Sequence, residues 1–191
     1  MWWRPTASPL FRPDALHAVA RSAVGLPHAR MVRHIIDELA RLYPGHIETH
    51  PSWMLSLAGG VTGIVTVLHG SLSELVLIFG TPVGSEGFSG RHLIEFHDFM
   101  LAGQMWTYTE HDFVEPRAYR PGDVAVLRRR EVKGVRLGEG AWMLEYGRGV
   151  IPSGLLFGLG DALAAFEFPT IARTIWTYGR LTLRELRQGK I

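Results

Sequence analysis

The sequence predicts an α+β fold, helical at both ends and strand-rich between, and three observations carry that prediction. Residues 13–24 and 28–43 have helical apolar spacing, residues 64–150 break into short β-branched runs punctuated by Gly and Pro, and residues 153–188 return to helical spacing. The 191 residues, 47% of them hydrophobic, suffice for one sizeable core, and no repeat, low-complexity tract or linker divides them. Residues 1–10 are expected to form an N-terminal arm. Residues 11–191 are expected to form one domain, with helices over 13–43, a strand-built barrel or sandwich over 46–150 and two C-terminal helices over 153–188.

The arm, MWWRPTASPLF, is aromatic but holds Arg4, Pro5 and Pro9 and no long apolar run, so neither a signal peptide nor a spanning helix is expected from it. In HARMVRHIIDELARLY, Met31, Ile35, Leu39 and Leu42 share one helical stripe, bounded by Pro27 and by Pro44-Gly45. IVTVL (64–68) and LVLIF (75–79) are nearly continuous β-branched or apolar runs. QMWTYT, DVAVL, EVKGVRL and WMLEY follow at strand-like intervals, with Arg120-Pro121-Gly122-Asp123 as a turn. After Pro152, helices are expected from Gly154 to about Phe166 and from Thr170 to about Gln188. The first is apolar but broken by glycines and by Asp161, so no segment is expected to cross a bilayer. In the second, Arg173, Arg180, Arg184 and Arg187 occupy one sector, roughly opposite Ile171, Ile175, Tyr178 and Leu186. That pattern fits a helix docked on the strands with a solvated basic face, or an interfacial helix on anionic lipid.

The formal charge is +2, but residues 168–191 alone carry +4, leaving the remainder at −2. The positive excess is local, which argues against a nucleic-acid partner. The absence of cysteine excludes disulfides and thiolate chemistry.

Candidate chemistry rests on carboxylates in apolar company. Glu95 and Asp98 stand among Phe96, Phe99, Met100 and Leu101, and Glu145 lies inside WMLEYG. Strand alternation gives Glu145 the same face as Met143, opposite Leu144 and Tyr146. A carboxylate that loses its hydration must find a partner or take up a proton. Glu145 therefore pairs with Arg148 or Arg91, or shares a proton with Asp98 or Glu95; a coupled acid pair can deliver a proton at one point and remove one at another. HIETH (46–50) and the His92–His97 spacing make a poor metal set, so no metal is expected. The glycines of GTPVGSEGFSG match no phosphate-binding motif and are expected to form a tight loop. Ser71, Ser73, Ser85 and Ser89 lie in no nucleophile-elbow sequence.

LYPGH (42–46), LHGSLSELVLIFGTPVGSEGFSGR (68–91) and WMLEYGRGVIPS (142–153) closely resemble the family of the sigma-1 receptor and the fungal sterol C8–C7 isomerases, from about Phe11 to the C-terminus. The resemblance implies a cupin-like β-barrel around an apolar cavity, with two C-terminal helices beneath it against a membrane. It implies that Glu145 is the carboxylate that receives the amine of cationic ligands in the receptor, with Asp98 as its partner; the fungal enzymes place their acids nearer Glu95. Leu75 occupies the position of a receptor tyrosine, and Trp142 and Tyr146 join the implied ligand-contacting set. The implied activity is metal- and cofactor-free movement of a ring B double bond by proton transfer between carboxylates and sterol. The alternative is non-enzymatic binding of sterols or cationic amphiphilic amines. A membrane surface is the implied partner, with a homotrimer as the implied assembly. The implied location is peripheral to a membrane: endoplasmic reticulum in a eukaryote, cytoplasmic membrane in a bacterium.

Overall fold

The computed structural model describes residues 8–191; the arm expected over residues 1–10 lies outside the described residues as far as residue 7. Two helices come first, α1 (Pro13–Ala23) and α2 (His28–Leu42). Pro13 starts α1, where a missing N–H costs nothing, and Asp14 and Arg21 complement its two ends. In α2 the buried residues are Met31, Ile35, Ile36 and Leu39, so the expected stripe is buried up to its last member, Leu42, which is exposed.

Ten strands follow: β1 (Met54–Ala58), β2 (Val61–Gly70), β3 (Glu74–Thr81), β4 (Ser85–Phe88), β5 (Ile94–Ala102), β6 (Met105–Tyr108), β7 (Arg117–Tyr119), β8 (Val124–Leu127), β9 (Gly134–Leu137) and β10 (Ala141–Gly149). They form a six-stranded sheet in the order β1-β2-β3-β10-β5-β8 and a four-stranded sheet in the order β4-β9-β6-β7. The sheets pack through Phe79, Met100 and Met143 of the larger and Met105 and Leu137 of the smaller. The strand-built enclosure is thus two facing sheets, with no continuous ladder among the described residues closing it into a barrel.

The outer face of the large sheet is covered by α1 and α2. Leu16, Val19, Met31, Ile35 and Leu39 pack there on Leu68, Val76, Ile78, Phe99, Leu144 and Tyr146. Burying each such side chain contributes about 1.5–3 kcal/mol, which fixes which face of β10 points at the helices. The opposite face, with Met143 and Glu145, points between the sheets.

One sequence expectation changes here. Part of the segment expected to be a glycine loop is strand β4, paired with β9. Gly87 lies so close to Gly59 and Val61 that a Cβ would collide with them, so glycine here serves a close backbone approach. Gly80 in β3 likewise makes room for the Trp142 ring.

The chain ends in α3 (Pro152–Ala164) and α4 (Phe168–Arg187). The orientation of α4 differs from the expected one. Thr170, Thr177, Leu181, Thr182 and Glu185 are its buried residues, while Ile175, Trp176, Leu183 and Leu186 are exposed. The polar residues face inward because the turn after α2 and the loop after β2 offer partners: Glu185 pairs with His46 at 2.6 Å, and Tyr178 Oη donates to the Ser71 carbonyl at 2.7 Å. Arg180 and Arg184 turn toward Glu48, with nearest separations of 2.8 and 3.8 Å. The arginine column therefore flanks an outward apolar face. No helix among the described residues is long and apolar enough to cross a membrane.

Candidate active site

A cavity of about 290 Å³ lies between the sheets, closed at one side by α3 and α4. Its wall is largely aliphatic and aromatic, including Val65, Leu75, Leu77, Phe79, Phe96, Met143 and Phe157. Two carboxylates interrupt it, Asp98 and Glu145, together with Lys133.

The central strand β10 pairs with β3 on one side and β5 on the other, which sets Glu145 opposite Leu77 and opposite Asp98. Residues directly opposite on antiparallel strands project to the same face, so the two acids share the cavity wall. Lys133, immediately before β9 on the facing sheet, reaches across: its Nζ donates to Asp98 Oδ2 at 2.6 Å, with both side chains nearly buried. Its backbone is held by Ser89, whose Oγ accepts from the Lys133 N–H at 3.0 Å and whose N–H donates to the Lys133 carbonyl at 3.0 Å.

Loss of hydration is the main force on Glu145, and the negative charge of Asp98 adds to it. Against the weaker opposing pull of Lys133, these push the Glu145 carboxyl up to about 8. Glu145 accordingly holds its proton at neutral pH, in an apolar cavity, beside an ion pair. Such a group can donate a proton to a bound molecule.

The structure brings together Glu145, Asp98 and Leu75 among the candidate site residues. Glu95 is on the other face of β5, where its Oε1 lies 3.2 Å from His97 Nε2; Ile94, Phe96 and Asp98 take the cavity side. Trp142 and Tyr146 also point away from the cavity. Trp142 packs edge-on against Trp53, and Tyr146 Oη donates to Glu74 Oε1 at 2.7 Å beneath the helices. Neither arginine weighed as a partner for Glu145 reaches it: Arg148 is exposed, and Arg91 bonds Glu110. Lys133 was missed. Its signal was alternation in EVKGVRL, which puts Lys133 on one face with Val135 and Leu137, and all three line the cavity. Among the described residues no three His, Asp or Glu side chains converge as a metal ion requires.

The chain is 37% identical to the C-8 sterol isomerase ERG2 of Gibberella zeae over 93% of its own length and 76% of the relative's. It is 38% identical to the C-8 sterol isomerase of Pyricularia oryzae over 95% of this chain and 84% of that one. It is 37% identical to the sigma non-opioid intracellular receptor 1 of Gallus gallus over 92% and 80%. Among solved structures, an RmlC-like cupin from Shewanella frigidimarina aligns over 52% of this chain and 85% of its own, with 12% identity and a TM-score of 0.44. The family described as ERG2 and Sigma1 receptor like protein matches residues 2–190, and the chain belongs to it.

Proposed function

We propose that this protein is a sterol C8–C7 isomerase in which Glu145 is the proton donor. The observation that carries the proposal is a carboxyl held protonated inside an apolar cavity, beside a charged Asp98–Lys133 pair. The ring B alkene takes the Glu145 proton on carbon 9, which leaves a carbocation at carbon 8. Loss of a proton from carbon 7 to the Glu145 carboxylate forms the new double bond and regenerates the acid, with no change of oxidation state. The Glu145 carboxylate left by the transfer, beside the mutually neutralised Asp98–Lys133 pair, places net negative charge close to the cation as it develops. The apolar wall excludes water that would trap the cation as an alcohol.

Similarity to the receptor supports a second reading, binding of cationic amphiphilic amines without turnover, because an ammonium resembles the carbocation in charge. Incubating purified protein with a Δ8-sterol in deuterium oxide separates the two. The isomerase gives a Δ7-sterol with one deuterium at carbon 9; recovery of unchanged, unlabelled sterol would leave only the binding protein.

The exposed apolar residues of α3, α4 and the turn between them include Leu156, Phe166, Phe168 and Trp176, with Arg173, Arg180 and Arg187 alongside. This arrangement supports a position on an anionic membrane surface, through which a sterol substrate would arrive.

A further inference from the structure

One buried charge beside the proton donor has no step in the isomerisation. Lys133 comes from the facing sheet, its ammonium is bonded to Asp98, and its side chain forms part of the cavity wall. We propose that Lys133 is a specificity-determining residue: by neutralising Asp98 it makes the resting cavity accept an uncharged ligand and disfavour a permanent cation. The inference rests on the isomerase reading for its link to turnover, but its binding arm stands alone.

The charges decide the point. With Glu145 protonated, Asp98 and Lys133 cancel, and the three groups together are neutral. An ammonium entering this site gains no net counter-charge. It would have to expel the Glu145 proton or displace Lys133 from a 2.6 Å ion pair inside an apolar wall, and either change is costly. A neutral sterol demands neither. Once the Glu145 proton moves to the alkene, the cluster carries one negative charge facing one positive carbon. The attraction thus arises as the reaction proceeds rather than when the ligand binds, and that is where it accelerates a reaction. The remaining titratable groups of the wall are His92, whose Nε2 donates to the Ser89 carbonyl at 2.7 Å, and Tyr178 of α4, whose hydroxyl is bonded to Ser71. Neither supplies a counter-charge to Asp98.

Dodecyltrimethylammonium, which carries its charge at every pH, is the probe, titrated calorimetrically at pH 6 and pH 9 into the wild type and three variants. The wild type should bind it weakly at pH 6 and about tenfold more tightly at pH 9, where Glu145 ionises. Lys133→Met, which keeps most of the stem and removes the charge, should bind it about tenfold more tightly than the wild type already at pH 6. Lys133→Arg should keep the wild-type preference. Lys133→Met combined with Asp98→Asn removes both charges, guards against loss of fold in the single variant, and should return affinity to the wild-type level. Equal pH 6 affinity in the wild type and the folded Lys133→Met protein would overturn the proposal, as would tight binding by the double variant. Sterol turnover by the wild type is read in parallel. Its absence, with affinities moving as stated, removes the isomerase and keeps the Lys133 assignment; its presence with unmoved affinities does the reverse.

Discussion

Asp98 and Glu145 stand directly opposite each other on β5 and β10, yet of the two only Asp98 has a cation bonded to it among the described residues. Two carboxyls at the same level of one sheet would ordinarily share one proton between them. Lys133 breaks that symmetry. The ion pair engages Asp98, and the proton stays on Glu145, whose surroundings are otherwise apolar.

Replacing Glu145 by Gln should remove turnover, with a loss of about 10²–10⁴-fold or more, because Gln keeps the volume but has no carboxylic proton to give. The fold should survive and its pH response should change. The folded chain holds the Glu145 proton more tightly than the unfolded chain, where the carboxyl titrates near 4.5. The stability that follows is complete below that pH and is lost as pH rises through about 8. Denaturation midpoints measured from pH 4 to 9 should fall less steeply for Glu145→Gln than for the wild type. Parallel curves would show that the carboxyl is not held protonated.

Glu95 and Asp98 should separate cleanly. Asp98→Asn leaves Lys133 buried without its counter-ion, so it should lose stability by about 3–5 kcal/mol and lose turnover with it. Glu95→Gln alters a half-exposed side chain that, among the described residues, bonds only His97 on the far face of β5, and should leave turnover unchanged. Urea denaturation and sterol turnover on both variants check this. A strong activity loss in a stable Glu95→Gln protein would place the second acid where the fungal pattern suggested it.

The face that Glu145 shares with Met143, opposite Leu144 and Tyr146, was legible from strand alternation, although the near-uniform apolarity of WMLEYG left open which face meets the helices. The choice between Glu95 and Asp98 was not. Both lie in one strand three residues apart, so they take opposite faces, and which face meets Glu145 depends on a pairing register that one sequence does not display. The Lys133–Asp98 bond spans 35 residues and two sheets, so only the alternation of Lys133 with Val135 and Leu137 hinted at it. In α4 the helical wheel grouped the arginines correctly. It placed Tyr178 opposite them, as its inward bond to Ser71 requires, but could not say that Thr177 and Glu185 would win the inner face, because their partners, Met54 and His46, come from remote parts of the chain.

Tyr146 offers a control on the far side of the same strand. Its hydroxyl donates to Glu74, which also accepts from the backbone N–H groups of Leu10 and Phe11 and from Lys190 at 2.5 Å. These bonds, led by the Lys190 contact, hold the Glu74 carboxyl below its ordinary range despite the cost of burial. Tyr146→Phe removes one donor from that network, which should cost about 1–3 kcal/mol while leaving the KM for sterol unchanged. Chemical denaturation beside steady-state kinetics reads both. A raised KM without loss of stability would return Tyr146 to the ligand-binding wall.

The outward face of α4 should be a membrane contact. Ile175, Trp176, Leu183 and Leu186 are exposed together, and Arg173, Arg180 and Arg187 run beside them. Inserting the apolar side chains into the interfacial zone removes them from water, and each arginine near an anionic surface contributes about 1 kcal/mol. Trp176→Glu with Leu183→Glu puts two carboxylates on that face while leaving the inward bonds of Tyr178 and Glu185 intact. In flotation with vesicles containing phosphatidylserine, the wild type should rise with the lipid, and more salt should weaken its binding. The double variant should stay at the bottom at every salt concentration. It should still isomerise a sterol delivered in detergent, because its changes lie outside the cavity wall, and lose activity only toward sterol held in vesicles. Equal flotation of both proteins would mean that this face meets something other than lipid.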